Sequence, residues 1–573
     1  MGLLQLATTG YLRRNMSETQ NYQFNLTLQY ARKFGDHDIS ALFSLEKTEA
    51  ETEYVIGTVT DPIPYHDGQS RSMGVNGEQS TDFSRSESGM LSYVGRFNYA
   101  YASKYLFEFL MRTDASTKFA PNNYWGFFPS VSAGWVISEE KWFKEKVSWM
   151  DFLKIRASWG LMGRDNIRAW IWAQLYNRDY AKGAVFGNKG SNNPVNVGVV
   201  MPKAGVNSDV HWDKTYKTNV GIDARFLNSR LSVNFNYYYD RGRELFATRT
   251  GTTDFPATVG TQATPENWGE IDSWGWELTL GWRDKIGKDA SYWAKLSTGY
   301  SDNKMLETNF PAIAELDSPV YGERADRGVW GYECIGMFRS QQEIDEYFAM
   351  YNITEYCNLK REAVYPGMLI YKDVRGQNRG DGTWGEPDGK VDKNDMIRIS
   401  EHSSNPYGFT LNFGGQWKSL SMSAQLAASW GAKALIQTDY RSAADDYEYS
   451  NMPSSFADMF NYRDIYDSEG NITVAKNIDA VMPNMRYGLN KNASTYWMVN
   501  AANVSLRNIT IAWALPKGWI NRIGLSSVRL NLTVQNAINF YNPYPEKSWA
   551  SWGGTFTRYP NLRKFTMGIN VSF

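Results

Sequence analysis

Apolar side chains at Phe565, Met567, Ile569, Val571 and Phe573 alternate with Thr566, Gly568, Asn570 and Ser572. A period of two describes a strand with two different faces, because successive side chains leave a strand on opposite sides. An apolar face carried by about nine residues is the length a tilted strand needs to cross a membrane. A helix cannot satisfy this pattern, since its period is 3.6.

The same design recurs along the chain. Tyr22, Phe24, Leu26, Leu28 and Tyr30 interleave with Gln23, Asn25, Thr27 and Gln29. Leu231 to Tyr239, Trp276 to Trp282, Phe409 to Trp417 and Val528 to Val534 repeat the alternation, with Asn234, Asn236, Thr410, Asn412 and Gln416 on the polar side. Tyr22 to Tyr30 spans about 26 Å at roughly 3.3 Å per residue. Tilted by about 40°, that matches the apolar band of a membrane barrel. Mean hydropathy is only −0.50, which suits strands that are half apolar and contains no 18-residue helical span. Aromatic residues make up 15% of the chain, an excess that fits rings placed where lipid meets water. Basic and acidic residues balance at 60 and 61, so no charge excess points to nucleic acid.

Short connections are expected at Phe34–Asp36, Ala102–Lys104, Asn228–Ser229, Asp284–Ala290, Lys418–Ser419 and Pro516–Leu525. Long ones are expected at about Lys47–Gly89, Met162–Tyr216, Arg241–Asp272, Asn303–Asn405 and Gly431–Asn500. Tight turns on one side and long loops on the other characterise transmembrane barrels. The count reaches about fifteen strands, or sixteen if Leu3–Ala7 adds one, and parity returns the Phe573 end to the short-turn side. The fold class is therefore all-β, an antiparallel transmembrane β-barrel with residues 303–405 as a large extracellular loop insertion. The amino-terminal segment from Met1 has no basic region and no cleavage signal, and is not read as a signal peptide.

Specific motifs sharpen this reading. Tyr93–Trp142 contains GRFNYAYASKYL, RTDASTKF and WGFFPSVSAGW; LKIRASWGLMG follows at Leu153–Gly163 and NWGEIDSWGWEL at Asn267–Leu278. YPGMLIYKDVRG, DGKVDKND, YWMVNAANVSLRNITIAWALP and the closing RYPNLRKFTMGINVSF complete the set. Together they resemble the barrel of the SusC/RagA-type TonB-dependent outer-membrane transporters of Bacteroidota. The resemblance implies a 22-stranded barrel around an amino-terminal plug, import of oligosaccharides or peptides, energy from TonB, and a SusD-like surface lipoprotein as lid. No TonB box, plug or first strands can be found, so residues 1–573 read as the carboxy-terminal, partial barrel domain of such a transporter.

Carboxylates at Asp373, Asp381, Asp388, Asp392 and Asp395, set among glycines, suit a hard cation such as structural calcium. A solvated turn cluster is the competing reading. Trp268, Trp274, Trp330 and Trp384, with Trp549 and Trp552, offer flat faces on which sugar rings could stack, against the alternative of interface or loop packing. Ser340 with Glu343 marks the start of a short helix. Cys334 and Cys357 are the only cysteines, and the sequence leaves open whether they pair. His37, His66, His211 and His402 share no metal-ligand spacing, and no nucleophile, zinc or phosphate-loop motif occurs, so no catalytic residue is assigned. The expected function is energised nutrient import across the outer membrane; the alternative is a passive surface-binding or adhesion barrel.

Overall fold

The computed structural model describes residues 11–60, 79–174, 176–186, 195–202, 206–247, 266–311, 315–436, 458–543 and 562–573. Fifteen strands form one sheet in strict chain order. They are β1 (Tyr11–Phe34), β2 (His37–Thr60), β3 (Gln79–Tyr101), β4 (Tyr105–Ser116), β5 (Trp125–Val136), β6 (Met150–Arg164), β7 (Asp213–Phe226) and β8 (Leu231–Ala247). The series continues with β9 (Glu266–Ile286), β10 (Ala290–Glu307), β11 (Tyr407–Trp417), β12 (Leu420–Trp430), β13 (Asn503–Ala514), β14 (Ser527–Tyr541) and β15 (Lys564–Ser572). The neighbouring pairs run antiparallel, as in β1–β2, β4–β5, β11–β12 and β14–β15. The expected count of about fifteen is met. The further strand at Leu3–Ala7 falls outside the described residues.

Register explains why the two faces stay separate. Leu26 lies opposite Leu45, which lies opposite Tyr93, so one apolar row crosses three strands. A one-residue slip would send every side chain of a strand to the wrong face. The apolar face is open: Leu28 is 63% exposed and Met567 78%. Large side chains this bare are costly in water, at about 25 cal/mol per Å². A hydrocarbon surround removes that cost. Among the described residues no helix is long and apolar enough to cross a membrane.

The short-turn edge carries the rings. Tyr101 stacks on Tyr105 at 6.5 Å, and Tyr105 sits opposite Trp135. Trp149 stacks on Phe226 at 5.7 Å, and Trp513 meets Trp519 edge-on at 6.0 Å. This is an interfacial aromatic girdle. The backbone N–H of Ser526, in the last short connection, donates to the carbonyl of Ser572, which places the chain end on this edge as parity requires.

The long-loop side differs from expectation at Lys47–Gly89. β2 continues to Thr60 and β3 begins at Gln79, so much of that segment is a sheet extension. Its rows around Thr52 are polar on both faces, held by pairs such as Thr19–Thr52 at 3.1 Å and Arg85 to Glu51 and Glu87 at 2.6 and 2.7 Å, before an apolar row of Met16, Val55 and Phe83 returns farther out. A hydrophobic period cannot reveal such strands. Likewise the Met162–Tyr216 connection contains a paired ribbon, Tyr176–Phe186 with Val195–Pro202.

Cα packing divides the chain into two compact units. One comprises Met1–Glu139, Arg156–Asn219 and Asp240–Glu270; the other Glu140–Ile155, Val220–Tyr239 and Ile271–Phe573. In the first, Phe119, Phe128, Ile167, Val210 and Trp212 form a buried cluster over the polar turn after β4. In the second, the connection between β10 and β11 folds into a cored module. Tyr332, Phe338, Ile344, Tyr347, Tyr356 and Tyr371 are buried together, and Leu489 joins them from the connection after β12. Tyr332 stacks on Tyr371 at 4.7 Å and 17°. The hydroxyls of Tyr356 and Tyr371 donate to the carbonyls of Leu369 and Leu489 at 2.7 and 2.8 Å, so burial leaves neither unsatisfied. Some of the aromatic residues therefore build this core and not the membrane interface.

The expected helix is present as Gln341–Met350. Ser340 Oγ accepts from the Glu343 N–H, while Glu343 Oε2 accepts from the Arg339 N–H, one residue beyond a standard capping box.

Candidate functional site

The sheet face opposite the apolar one is the first candidate, because every strand presents it with polar groups. In β4, Tyr105, Phe107, Phe109 and Met111 are exposed on the apolar face, which sends Glu108, Arg112 and Asp114 to the other. Arg112 Nε donates to both Asp114 oxygens at 2.8 and 2.9 Å, Nη2 donates to Ser92 Oγ at 3.0 Å, and Nη1 lies 3.2 Å from Glu46. Arg96 Nε donates to Glu108 at 2.7 Å. At the strand end Ser116 Oγ donates to Asp165 at 2.8 Å, and just beyond it Lys118 Nζ lies 3.4 Å from the same carboxylate. The RTDASTKF stretch is thus a chain of ion pairs on one wall. Sequence reasoning quoted the stretch without assigning this role; the available signal was Arg112 and Asp114 two apart on one face of an alternating strand.

The second unit has a neutral counterpart. Gln425 Nε2 donates to Asn412 Oδ1 at 3.1 Å, and Asn508 Nδ2 donates to Gln425 Oε1 at 3.3 Å. Thr279–Ser297 and Thr510–Thr533 hydroxyl pairs lie at 3.2 and 3.1 Å. Beside Thr410 a recess of about 410 Å³ is lined by Glu277, Thr279, Ser297, Thr410 and Arg507. Asn234 donates to Asp223 and Asn236 to Asn234. Of the five polar positions expected on this face, only Gln416 does something else: its amide donates to the Lys418 carbonyl at the short turn.

The aspartate-rich loop resolves into backbone chemistry. Asp395 is fully buried; Oδ1 accepts from the N–H groups of Val374 and Arg375, and Oδ2 from that of Asp392. Asp392 in turn caps the short helical turn Lys393–Asp395 by accepting from Asn394. Asp373 Oδ2 accepts from Gly389 N–H at 2.8 Å. Only glycine serves at 389, where φ is 77° and a Cβ would stand 2.5 Å from the Asn352 carbonyl oxygen. Asp388 and Asp381 close local turns onto Lys390 and Thr383. Burial pushes the Asp395 carboxyl up to about 6, against the pull of its three N–H donors, and neighbouring Asp373 adds to the rise. Asp373 is itself raised by burial, and its Oδ1 is buried without a hydrogen-bond partner. Among the described residues no group of three or more His, Cys, Asp or Glu converges as a metal site. Each of the five expected calcium ligands accepts from a backbone amide, and Asp373 is acted on by both Asp388 and Asp395.

The four tryptophans proposed for sugar stacking sit in separate places. Trp268 Nε1 donates to the Ala247 carbonyl at 3.2 Å, and Trp274 stacks on Tyr239 at 6.4 Å. Trp330 Nε1 donates to the Arg327 carbonyl at 2.9 Å, and the Arg375 guanidinium lies over the Trp384 ring at 5.8 Å. All four are half-buried, and these contacts are those of packing. Trp549 and Trp552 lie outside the described residues. Cys334 and Cys357 are both free thiols. Of the histidines, His211 contacts Glu244 at 2.8 Å, while His66 lies outside the described residues.

The family model for TonB dependent receptor-like, beta-barrel domains matches residues 3–325. TonB-dependent receptor P3 of Formosa agariphila is 26% identical over 593 residues, covering 99% of this chain and 53% of that protein. TonB-dependent receptor SusC of Bacteroides thetaiotaomicron is 27% identical over 314 residues, covering 54% of this chain and 29% of SusC. The RagAB peptide importer in its open-open state matches with a TM-score of 0.72 at 17% identity, over 100% of this chain and 56% of that one. The chain spans about half the length of the curated relatives it matches most fully.

Proposed function

The chain belongs to the TonB-dependent receptor β-barrel family, and from that premise we propose that it supplies barrel wall and extracellular loops for energised nutrient import. The observation that carries the proposal is the division of faces along one continuous meander. An exposed apolar face suits outer-membrane lipid, while the ladders around Arg112 and Gln425 give a wetted wall for solute. No covalent chemistry is needed: loops capture, a plug moves, and polar side chains exchange hydrogen bonds with a passing solute. The cargo is an oligosaccharide or a peptide, and the partners are TonB and a SusD-like surface lipoprotein, as the likeness to SusC and RagAB suggests.

The test is uptake in cells carrying the gene. Labelled oligosaccharide or oligopeptide should enter only when the protein is present, and entry should stop when the inner-membrane proton gradient is collapsed. Cargo that stays on the cell surface, whatever the gradient, would instead favour a passive adhesion or binding barrel.

A further inference from the structure

Between the module of the β10–β11 connection and residues 486–492 of the connection after β12 lies a cavity of about 760 Å³ that none of the import steps above uses. Its floor is apolar: Tyr332, Met368 and Leu489 belong to the buried core, and Cys357 packs against that core. The Cys357 thiol is held protonated, because burial pushes it up to about 12. The rim is charged and carries Arg486, Lys393 and Asp392. Lys393 is already bridged to Glu315 at 2.9 Å, and Asp392 Oδ1 is engaged by the Asn394 N–H. The exposed Arg486 guanidinium makes no ion pair among the described residues, although its backbone N–H is fixed by Asn484 Oδ1 at 3.1 Å.

We propose that this cavity binds an apolar group bearing a carboxylate, with the apolar part on the Met368–Leu489 floor and the carboxylate paired to Arg486. A guanidinium and a carboxylate make a bidentate, charge-assisted contact that a lysine cannot reproduce. A sugar fits less well, since the floor set by Tyr332, Cys357, Met368 and Leu489 offers its hydroxyls only one phenol, a thiol and a thioether, while Asn358 and Asn492 stand elsewhere in the lining. The carboxylate-bearing group could be the end of a peptide with an apolar last residue or a free aliphatic acid. The biological purpose, capture before import, rests on the reading given above; the binding itself does not.

The experiment uses the purified full protein in detergent, with N-acetyl-phenylalanine, its primary amide and octanoate as probes in calorimetric titrations. The carboxylate probe should bind at least tenfold more tightly than the amide, and Arg486→Gln should erase that difference. Gly488 lines the cavity and nothing lies within 4 Å of where its Cβ would stand, so Gly488→Leu adds an apolar side chain to the lining and should weaken binding of every probe. Tighter binding of N-acetyl-phenylalanine than of octanoate assigns the site to peptide ends, and the reverse to aliphatic acids. Equal binding of acid and amide, insensitivity to Arg486→Gln, or no binding to the unaltered protein overturns the proposal. Gradient-dependent uptake measured in parallel separates this outcome from failure of the import reading.

Discussion

Replacing Asn490 by leucine should loosen the loop module while leaving the strands in place. Asn490 is fully buried; its Oδ1 accepts from the Leu369 N–H at 2.7 Å, and its Nδ2 donates to the carbonyls of Gly367 and Asn484 at 2.8 and 2.7 Å. Leucine keeps the branching at Cγ, in a somewhat larger side chain, and removes all three bonds. The two carbonyls keep other donors, since Asn484 N–H reaches Gly367 and Tyr487 N–H reaches Asn484, each at 3.1 Å. Only the Leu369 N–H loses the partner that its burial requires. An orphaned buried donor costs about 1–3 kcal/mol, and two lost bonds whose acceptors stay satisfied add about 1 kcal/mol together. The sum, about 3 kcal/mol, corresponds to roughly a hundredfold rise in local opening. Hydrogen exchange of the membrane-embedded protein reads this directly. Protection at Leu369 and Tyr371 should fall about a hundredfold while amides of β1 to β5 hold theirs. Protection of Leu369 unchanged within a factor of three would refute the role given to Asn490, and loss of protection throughout the sheet would refute the module's independence.

Other outcomes follow from the same geometry. Asp395 is raised to about 6 in the folded module, above the ordinary carboxyl value, so its contribution is full below about pH 4 and is lost as pH rises through 6. Exchange protection near Val374 should therefore be greater at pH 5 than at pH 7.5, and Asp373→Asn should weaken that dependence only slightly, because burial is the larger cause. Leu26→Arg, on the apolar face of β1, should cost about 2–4 kcal/mol of barrel stability in denaturant titrations from bilayers. A polar change on the opposite face, Thr27→Asn, should cost far less. Mass spectrometry after alkylation without reductant should find Cys334 and Cys357 both modified once the protein is unfolded, as free thiols require, and neither modified quickly in the native state.

Strand order and the division of faces were legible because period-two alternation is a local property. Tyr22 to Tyr30 carries it within nine residues, and the short turns at Gly35 and Ser103 punctuate it. The upper half of β2 was not legible: Thr52, Glu53 and Tyr54 give neither face a greasy stripe, and cross-strand pairs such as Arg85 with Glu51 hold it instead. The module core was hidden for a different reason. Leu489 and Asn490 reach Tyr371 and Leu369 across more than a hundred residues, a contact no short window contains. At the aspartate loop, sequence showed the density of carboxylates but not where each points. Ligation and capping use the same residue types, and only the backbone path through Gly389 and Asp392 separates them.

The central claim, that these strands face lipid on one side and solute on the other, is tested most directly by scanning β1 from Tyr22 to Tyr30. Single cysteines placed there, with Cys334 and Cys357 replaced by serine, would carry a fluorophore in native outer membranes. The account predicts a period of two. A lipid-soluble quencher should reach positions 24, 26 and 28, and a water-soluble one positions 23, 25, 27 and 29. Equal access of the aqueous quencher to all nine positions, without alternation, would contradict it.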